Sequence, residues 1–523
     1  MAHYDIVIKN GTVYDGKGSA PVDTDVAIKG EEIKKIGAFR DDKDEADKIV
    51  DAAGKYVCPG FIDATNHSDT HWTLFSDPAQ ESLVKQGVTT IIGGNCGLSV
   101  APLIGGRGIK GIERWTDISK NNINWQTMSE LLSVLEKRKL GLNFGTLVGI
   151  DTLIDSAADD FSQVEFLLNE SLESGALGIS TGLGASHSEN LNDKKLEGLF
   201  KITAKYGGIT KHHLEDEGKN ILPAISRLIQ LARKSGAGLH LSHFKVLGKG
   251  SWPLFSSAIE IMRNAQGEGG VNLTLDFFPY SRTGSDLFML MPGWLRKMDK
   301  ESVLEILNSG ENKKRKEIIG YLKDITLHYD KIIVASSASE AANAGKSLME
   351  LSALMEIEPE ELILNLLSVN DLRVSIFSEV ISFAHIKELA KEEYSIMASD
   401  GVGYDSKIFK PRNNLPHPRS FGAFPRAMRM LVKEDSVLSW EKMINKMTGL
   451  PAEIFKIKDR GVLSEGKKAD IVVFDPETVS DRATYEDPFR YATGIEQVFI
   501  NGSLVLNDGN LSGNFAGQLL RRK

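Results

Sequence analysis

The sequence predicts an α/β fold: a TIM-like (β/α)8 barrel with a small β-sandwich built from both chain termini. Three observations carry that expectation. From residue 58 to about 445, short apolar runs alternate with amphipathic helical runs, the pattern of parallel βα units. Several of those runs end in side chains able to hold a metal, as when a barrel builds a site at the C-terminal ends of its strands. The two ends of the chain share another texture, short strands between Gly and Asp turns.

Taken in order, residues 1–57 form the first part of the sandwich, with strands at Asp5–Lys9, Asp25–Lys29 and Glu32–Ile36. Residues 58–445 form the barrel. Its expected strands are Tyr56–Ile62, Val88–Ile92, Phe144–Val148, Leu177–Thr181, Gly208–Lys211, Leu239–Ser242, Leu273–Phe278 and Ser395–Ala398. Helical periodicity marks Asp77–Gln86, Thr127–Arg138, Phe161–Ser174 and Asn220–Ser235. The gap before the eighth strand is too long for one helix. Residues 286–345, with a charged helical run at Lys300–Lys323, are expected to form an insertion over the barrel mouth. Residues 446–523 complete the sandwich, with ADIVVFD at 469–475 and an Asn-Gly hairpin signal at Asn501-Gly502.

The chain has 523 residues, 25% charged and 41% hydrophobic, an ordinary globular balance with room for a large core. A net charge of −9 argues against a nucleic-acid partner. No apolar run approaches the roughly 18 residues that span a bilayer. The N-terminus, MAHYDIVIKNG, has no apolar core of a signal peptide. Two cysteines, Cys58 and Cys96, make no disulfide scaffold. These features together predict a cytoplasmic protein with no membrane partner, and they leave a homo-oligomer open.

The chemistry is expected at the strand ends. Cys96 follows GVTTIIGGN, His213 follows GGITKH, His243 follows GLHLS and Asp400 follows YSIMAS; PGFIDATNHSD delivers Asp63, His67, Asp69 and His71. A lone cysteine is usually a small buried hydrophobe. Here Cys96, His213 and His243 make a thiolate and two imidazoles, a donor set that favours zinc with one position left open. Of the adjacent His212 and His213 only one can face inward. Asp400 is the expected general base. Lys245 follows His243 by two residues and shares its direction. Arg419 and Arg426, on the loop after strand eight, are suited to gripping a carboxylate. Tyr280, after strand seven, is placed to hydrogen-bond a carbonyl or oxyanion.

With these residues in this order, the chain resembles the amidohydrolase superfamily and, within it, the N-acyl-D-amino-acid deacylase family. The segments that carry the resemblance include PGFID, QGVTTIIGGNCGLSVAPL, LHLSHFKVLG, FPYSRTGS, MASDG, HPRSFGAFPR and KKADIVVFD, spread over nearly the whole chain. The resemblance implies zinc held by Cys96, His213 and His243, Asp400 as catalytic carboxylate, and Lys245, Tyr280 and Arg419 on the substrate. Four departures are visible. The family's His-any-His of strand one reads Thr65-Asn66-His67. Glu215 stands where an arginine is usual, GASHSEN supplies His187, and Gly149-Ile150 replaces a common histidine. His67 alone is therefore expected to offer only a weak second metal site.

The expectation is zinc-dependent hydrolysis of a linear amide, the deacylation of a small-molecule N-acyl-D-amino acid. One zinc is held tightly and a second is weak or absent. Glu215 suggests recognition of a cationic group, such as the amine of a D-residue dipeptide. The alternatives are a cyclic-amide hydrolase, disfavoured because LGIST carries no lysine, and a homologue without catalysis.

Overall fold

The computed structural model describes residues 2–522 apart from 41–43, 114–122, 184–190, 268–269, 297, 311, 326, 338, 340 and 406–414. The barrel closes from eight parallel strands. They are Phe61–Asp63, Val88–Gly93, a third broken into Asn143–Thr146 and Val148–Gly149, Gly178–Gly182, Ile209–His213, Gly238–Leu241, Leu273–Phe277 and Ser395–Met397. Side chains of strands two and four are buried throughout, so neither strand alternates buried and exposed positions. Strand eight meets strand one through the Asn66–Gly401 bridge and through Asp63, whose Oδ1 accepts from Ser399 N at 2.8 Å. Asp63 thus closes the barrel and does not face the mouth.

The helices follow their apolar stripes. Phe161–Ser174 starts on the Asp160 side chain, which accepts from Ser162 N, and stops at Gly175 with φ 114°. It buries Val164, Leu167, Leu168 and Leu172, one face of a 3.6-residue repeat. Met128–Glu136 begins at Thr127 in a reciprocal capping box with Glu130. The expected helix at Asp77–Gln86 is only the short turn Glu81–Val84.

The terminal domain is one nine-stranded sheet to which both ends of the chain contribute. The two parts join where Tyr56–Pro59 pairs antiparallel with Ile471–Phe474. Its apolar cluster includes Val26, Ile28, Ile33, Val57, Ile471 and Phe499. The run Tyr56–Ile62 is thus two strands, divided at Gly60. A Cβ at Gly60 would lie 2.2 Å from Thr89 Oγ1, so the chain passes close to strand two as it leaves the sheet for the barrel.

The insertion is longer than 286–345. It is built on a three-stranded antiparallel sheet, with Val374–Glu379 between Arg282–Asp286 and Ile332–Ser337. Helices at Lys300–Asn308, Lys313–Asp324, Leu348–Met355 and Pro359–Val369 cover that sheet. Their cluster, with Leu287, Leu295, Ile306, Leu322, Val334, Leu362 and Ile376, is separate from the barrel core. Among the described residues no helix is long and apolar enough to cross a membrane.

Candidate metal centre and active site

Strand alternation decides between the paired histidines. His212 turns outward: its Nδ1 lies 2.7 Å from Thr181 Oγ1 and its ring packs on Phe200. Lys211 and His213 take the inward face. His243 sits just past strand six, and its backbone N–H donates to Asp276 Oδ1 at 2.6 Å. Cys96 follows strand two in a turn between Gly94 and Gly97. Its Sγ lies 3.3 Å from His243 Nε2, and the His213 and His243 rings meet edge to face with centroids 4.5 Å apart. Ligand atoms of the three residues all lie within 4.8 Å of one another. The other such group among the described residues, His3, Asp5 and Asp47, is on the surface of the terminal sheet.

Three site residues have backbones in the left-handed region: Cys96 at φ 53°, His243 at φ 36° and Asp400 at φ 52°. A non-glycine residue there costs about 1–3 kcal/mol and persists where its surroundings over-determine it. Here they do. Asn95 Nδ2 donates to Asn66 O at 2.9 Å, Asp69 Oδ2 accepts from Gly94 N at 2.7 Å, and Asp276 holds His243 N.

The donor set fits zinc. Burial pushes the Cys96 thiol up, but the His243 charge and hydrogen bonds from His213, His243 and His67 outweigh it. The sulfur is left well below the ordinary thiol range, as the metal-binding thiolate. Asp400 shows the same contest. Burial raises its carboxyl, and the opposing charges of Arg419, His243 and His67 hold it well below the usual range. Its Oδ2 lies 2.6 Å from an Arg419 guanidinium nitrogen and its Oδ1 3.1 Å from His67 Nε2. Metal trio, carboxylate, His67 and Arg419 therefore converge on one point.

The remaining expected residues are placed differently. Lys245 is 5% exposed, and its Nζ donates to Glu217 Oε1 at 2.6 Å and lies 2.9 Å from His243 Nδ1. It stands behind the metal trio. The Tyr280 ring lies in the wall, edge-on to His417 at 5.1 Å, with the Arg426 guanidinium 4.6 Å from its centroid. Arg426 reaches Asp481 and Pro279 O, so the expected arginine pair at the mouth reduces to Arg419. Glu215 pairs with Arg227, so its charge is met within the chain rather than left for a cationic substrate group. His187 lies outside the described residues.

Sequence reasoning missed Asp276, Lys211, Asn95, Glu217 and His417. His417 joins the insertion to the site: its Nε2 lies 3.0 Å from Arg282 O, and its Nδ1 accepts from Arg419 N at 3.1 Å. Burial and the Arg419 charge push it well below the ordinary histidine range, so it is neutral and able to donate on one side and accept on the other. The signal for Asp276 and Lys211 was present: each is a charge inside an apolar strand, LTLDF and ITKHH.

A barrel that brings a thiolate, two imidazoles and a carboxylate to its C-terminal face is the architecture of a metal-dependent hydrolase. Known proteins give the particular kind. A family model described as amidohydrolase family matches residues 414–506. N-acyl-D-glutamate deacylase of Alcaligenes xylosoxydans xylosoxydans is 30% identical over 99% of this chain and 96% of its own. The crystal structure of N-acyl-D-glutamate deacylase from Bordetella bronchiseptica, with zinc and a phosphonate mimic of the tetrahedral intermediate, superposes with TM-score 0.83 at 26% identity. It covers 99% of this chain and 100% of that one. A D-aminoacylase structure, whose binuclear metal centre is characterised by one-metal activation and second-metal attenuation, gives TM-score 0.82 at 25% identity over 99% of this chain and 100% of its own. The chain belongs to the amidohydrolase superfamily and, within it, to the N-acyl-D-amino-acid deacylase family. It is a hydrolase acting on a C–N bond other than a peptide bond.

Proposed function

We propose that the protein deacylates N-acyl-D-amino acids with one tightly held zinc at Cys96, His213 and His243. The observation that carries this reading is the position of Asp400, which faces the metal trio on one side and Arg419 on the other. Bound at the trio, zinc supplies Lewis acidity toward the scissile carbonyl and toward a water molecule. Asp400, kept ionised, accepts a proton from that water and returns it to the leaving nitrogen. Arg419 takes the free carboxylate of the substrate in the bidentate geometry that a guanidinium offers. Lys245 reaches that carboxylate only by exchanging Glu217 for it. His417 fixes the Arg419 backbone against the insertion, which makes the insertion a lid over the bound substrate.

The test is zinc-loaded protein against N-acetyl and N-formyl D- and L-amino acids, D-residue dipeptides and hydantoins. Cleavage of the D-acyl compounds ahead of the others is expected. Preference for the hydantoins would overturn the linear-amide reading.

A further inference from the structure

Lys211 lies on strand five, two residues before His213 and on the same inward face. Its side chain and that of Asp276 are both 0% exposed, and their charged atoms are 3.3 Å apart. The Lys211 ammonium also donates to Ala64 O at 3.0 Å, to Asn95 Oδ1 at 2.7 Å and to the Thr65 hydroxyl. Each partner is wired to the site. Asn95 precedes Cys96, Asp276 holds the backbone of His243, and Thr65 lies two residues before His67 on the same face. A charge taken out of water needs compensation of this kind, and the barrel supplies it in full.

On the strand-one side of Cys96 a second set of donors exists. His67 Nε2 and Asp400 Oδ1 are 3.1 Å apart, and His67 is also in hydrogen-bonding reach of the Cys96 sulfur. That set lacks a strong ligand at position 65. The Thr65 hydroxyl is committed elsewhere, donating to Asp276 Oδ2 at 2.6 Å while accepting from Lys211.

We propose that the Lys211 ammonium is a built-in cation. It supplies on the strand-one side the positive charge that a second metal ion would bring, ties together the strands that carry the ligands, and so keeps the centre to one tightly held ion. The proposal rests on the one-zinc reading and gives it a cause. The ammonium is fixed beside Thr65 and holds both the Thr65 hydroxyl and the Asp276 carboxylate, so neither is free to bind a divalent ion there.

The experiment reads metal, not turnover. Zinc-loaded and cobalt-loaded proteins are dialysed exhaustively and their metal counted per chain by elemental mass spectrometry. Wild type should keep one ion. Thr65→His should also keep one, because Lys211 still stands beside the new imidazole. Thr65→His combined with Lys211→Met should keep two. Because Lys211→Met leaves Asp276 without its cation, adding Asp276→Asn removes both charges and provides a second route if the double variant does not fold by circular dichroism. Two retained ions in Thr65→His alone, or only one in a folded variant that carries Thr65→His and lacks the ammonium, overturns the proposal. The two readings fail separately. Two ions in wild type refute the role of Lys211 while acyl-amino-acid hydrolysis stands. One ion in wild type with no such hydrolysis refutes the substrate assignment, and the variants still decide Lys211.

Discussion

Strand eight carries a buried polar cluster at each end, and the two clusters are held on opposite terms. At its N-terminal end Lys446, from the helix Trp440–Met447, donates to Ser395 O at 2.9 Å, to Ser395 Oγ at 3.1 Å and to Glu392 O. Those partners are neutral oxygens. Burial therefore dominates, the carboxylates of Glu392 and Glu393 offset only part of it, and the amine is lowered to about 8. At the C-terminal end Asp400 meets Arg419 and His67, and charge overcomes burial. A group held by neutral dipoles keeps the barrel in shape, whereas a group held by opposite charges keeps its own charge and can act on a substrate. This is the division of labour between the two faces of such barrels.

The charged end should break hardest where it loses a ligand. Cys96→Ala leaves two imidazoles for the metal. It should lose most of its zinc and activity, beyond the ~10–100-fold in affinity or activity that removal of a ligand's hydrogen-bonding partner costs. Full zinc occupancy in that variant, by elemental analysis, would show that Cys96 is not a ligand. Asp400→Asn should keep zinc and fold but lower kcat by about 10²–10⁴-fold, the usual contribution of a general acid–base group. Near-wild-type turnover would exclude Asp400 as the base.

How far the two ends could be read from sequence follows from the same contrast. Cys96, His213, His243 and Asp400 were legible because each closes an apolar run, where a polar side chain is conspicuous. Their supports were not. Glu217 meets Lys245 across 28 residues, between the loops of two paired strands, and Asp276 meets Thr65 across 211, a separation that only barrel closure brings together. The fold shows similar limits. Asn501-Gly502, with φ 47° and 78°, makes the expected hairpin turn between Ile495–Ile500 and Ser503–Asn507. Asn10-Gly11 is the same dipeptide, yet it lies inside the long strand Ala2–Val13 at a break in register. A Cβ at Gly11 would lie 2.5 Å from Val57, so there the glycine serves a close approach instead of a turn. The insertion was underestimated because Val374–Phe377 reads as one more short apolar run, and nothing local says that it pairs with residues 282–286.

Arg419→Ala sharpens the comparison within the charged end. The guanidinium has two expected tasks, holding the substrate carboxylate and holding Asp400. Loss of the first should raise KM for carboxylate substrates more than for the matching primary amides. A charge-assisted contact is worth about 1.5–3 kcal/mol, on the order of 10–100-fold. Loss of the second should lower kcat equally for both. Equal changes in KM for acid and amide would show that Arg419 serves Asp400 alone.

The effect expected at the neutral end is one of stability, not of activity. Lys446 falls from 10.5 to about 8 on folding, with burial as the main cause. Between those values the unfolded chain binds a proton at this site that the folded chain does not. Stability then rises with pH across the window from about 8 to 10.5, because the unfolded state binds more protons there. The full rise attributable to this amine is on the order of 3 kcal/mol, from 1.36 kcal/mol per unit of pKa. Other groups titrate in the same window, so the difference between two proteins is the quantity to read. Lys446→Met cannot bind the proton in either state and should lose this part of the slope. It should also leave Glu392 O and Ser395 O without a donor, a cost that does not vary with pH. Denaturant unfolding of both proteins at pH 7.5, 8.5 and 9.5, followed by circular dichroism, separates the two contributions: a constant offset reports the lost hydrogen bonds, and a divergence that grows with pH reports the buried amine. Parallel curves for the two proteins would mean that Lys446 stays protonated in the fold. The two ends of strand eight would then be held on the same terms.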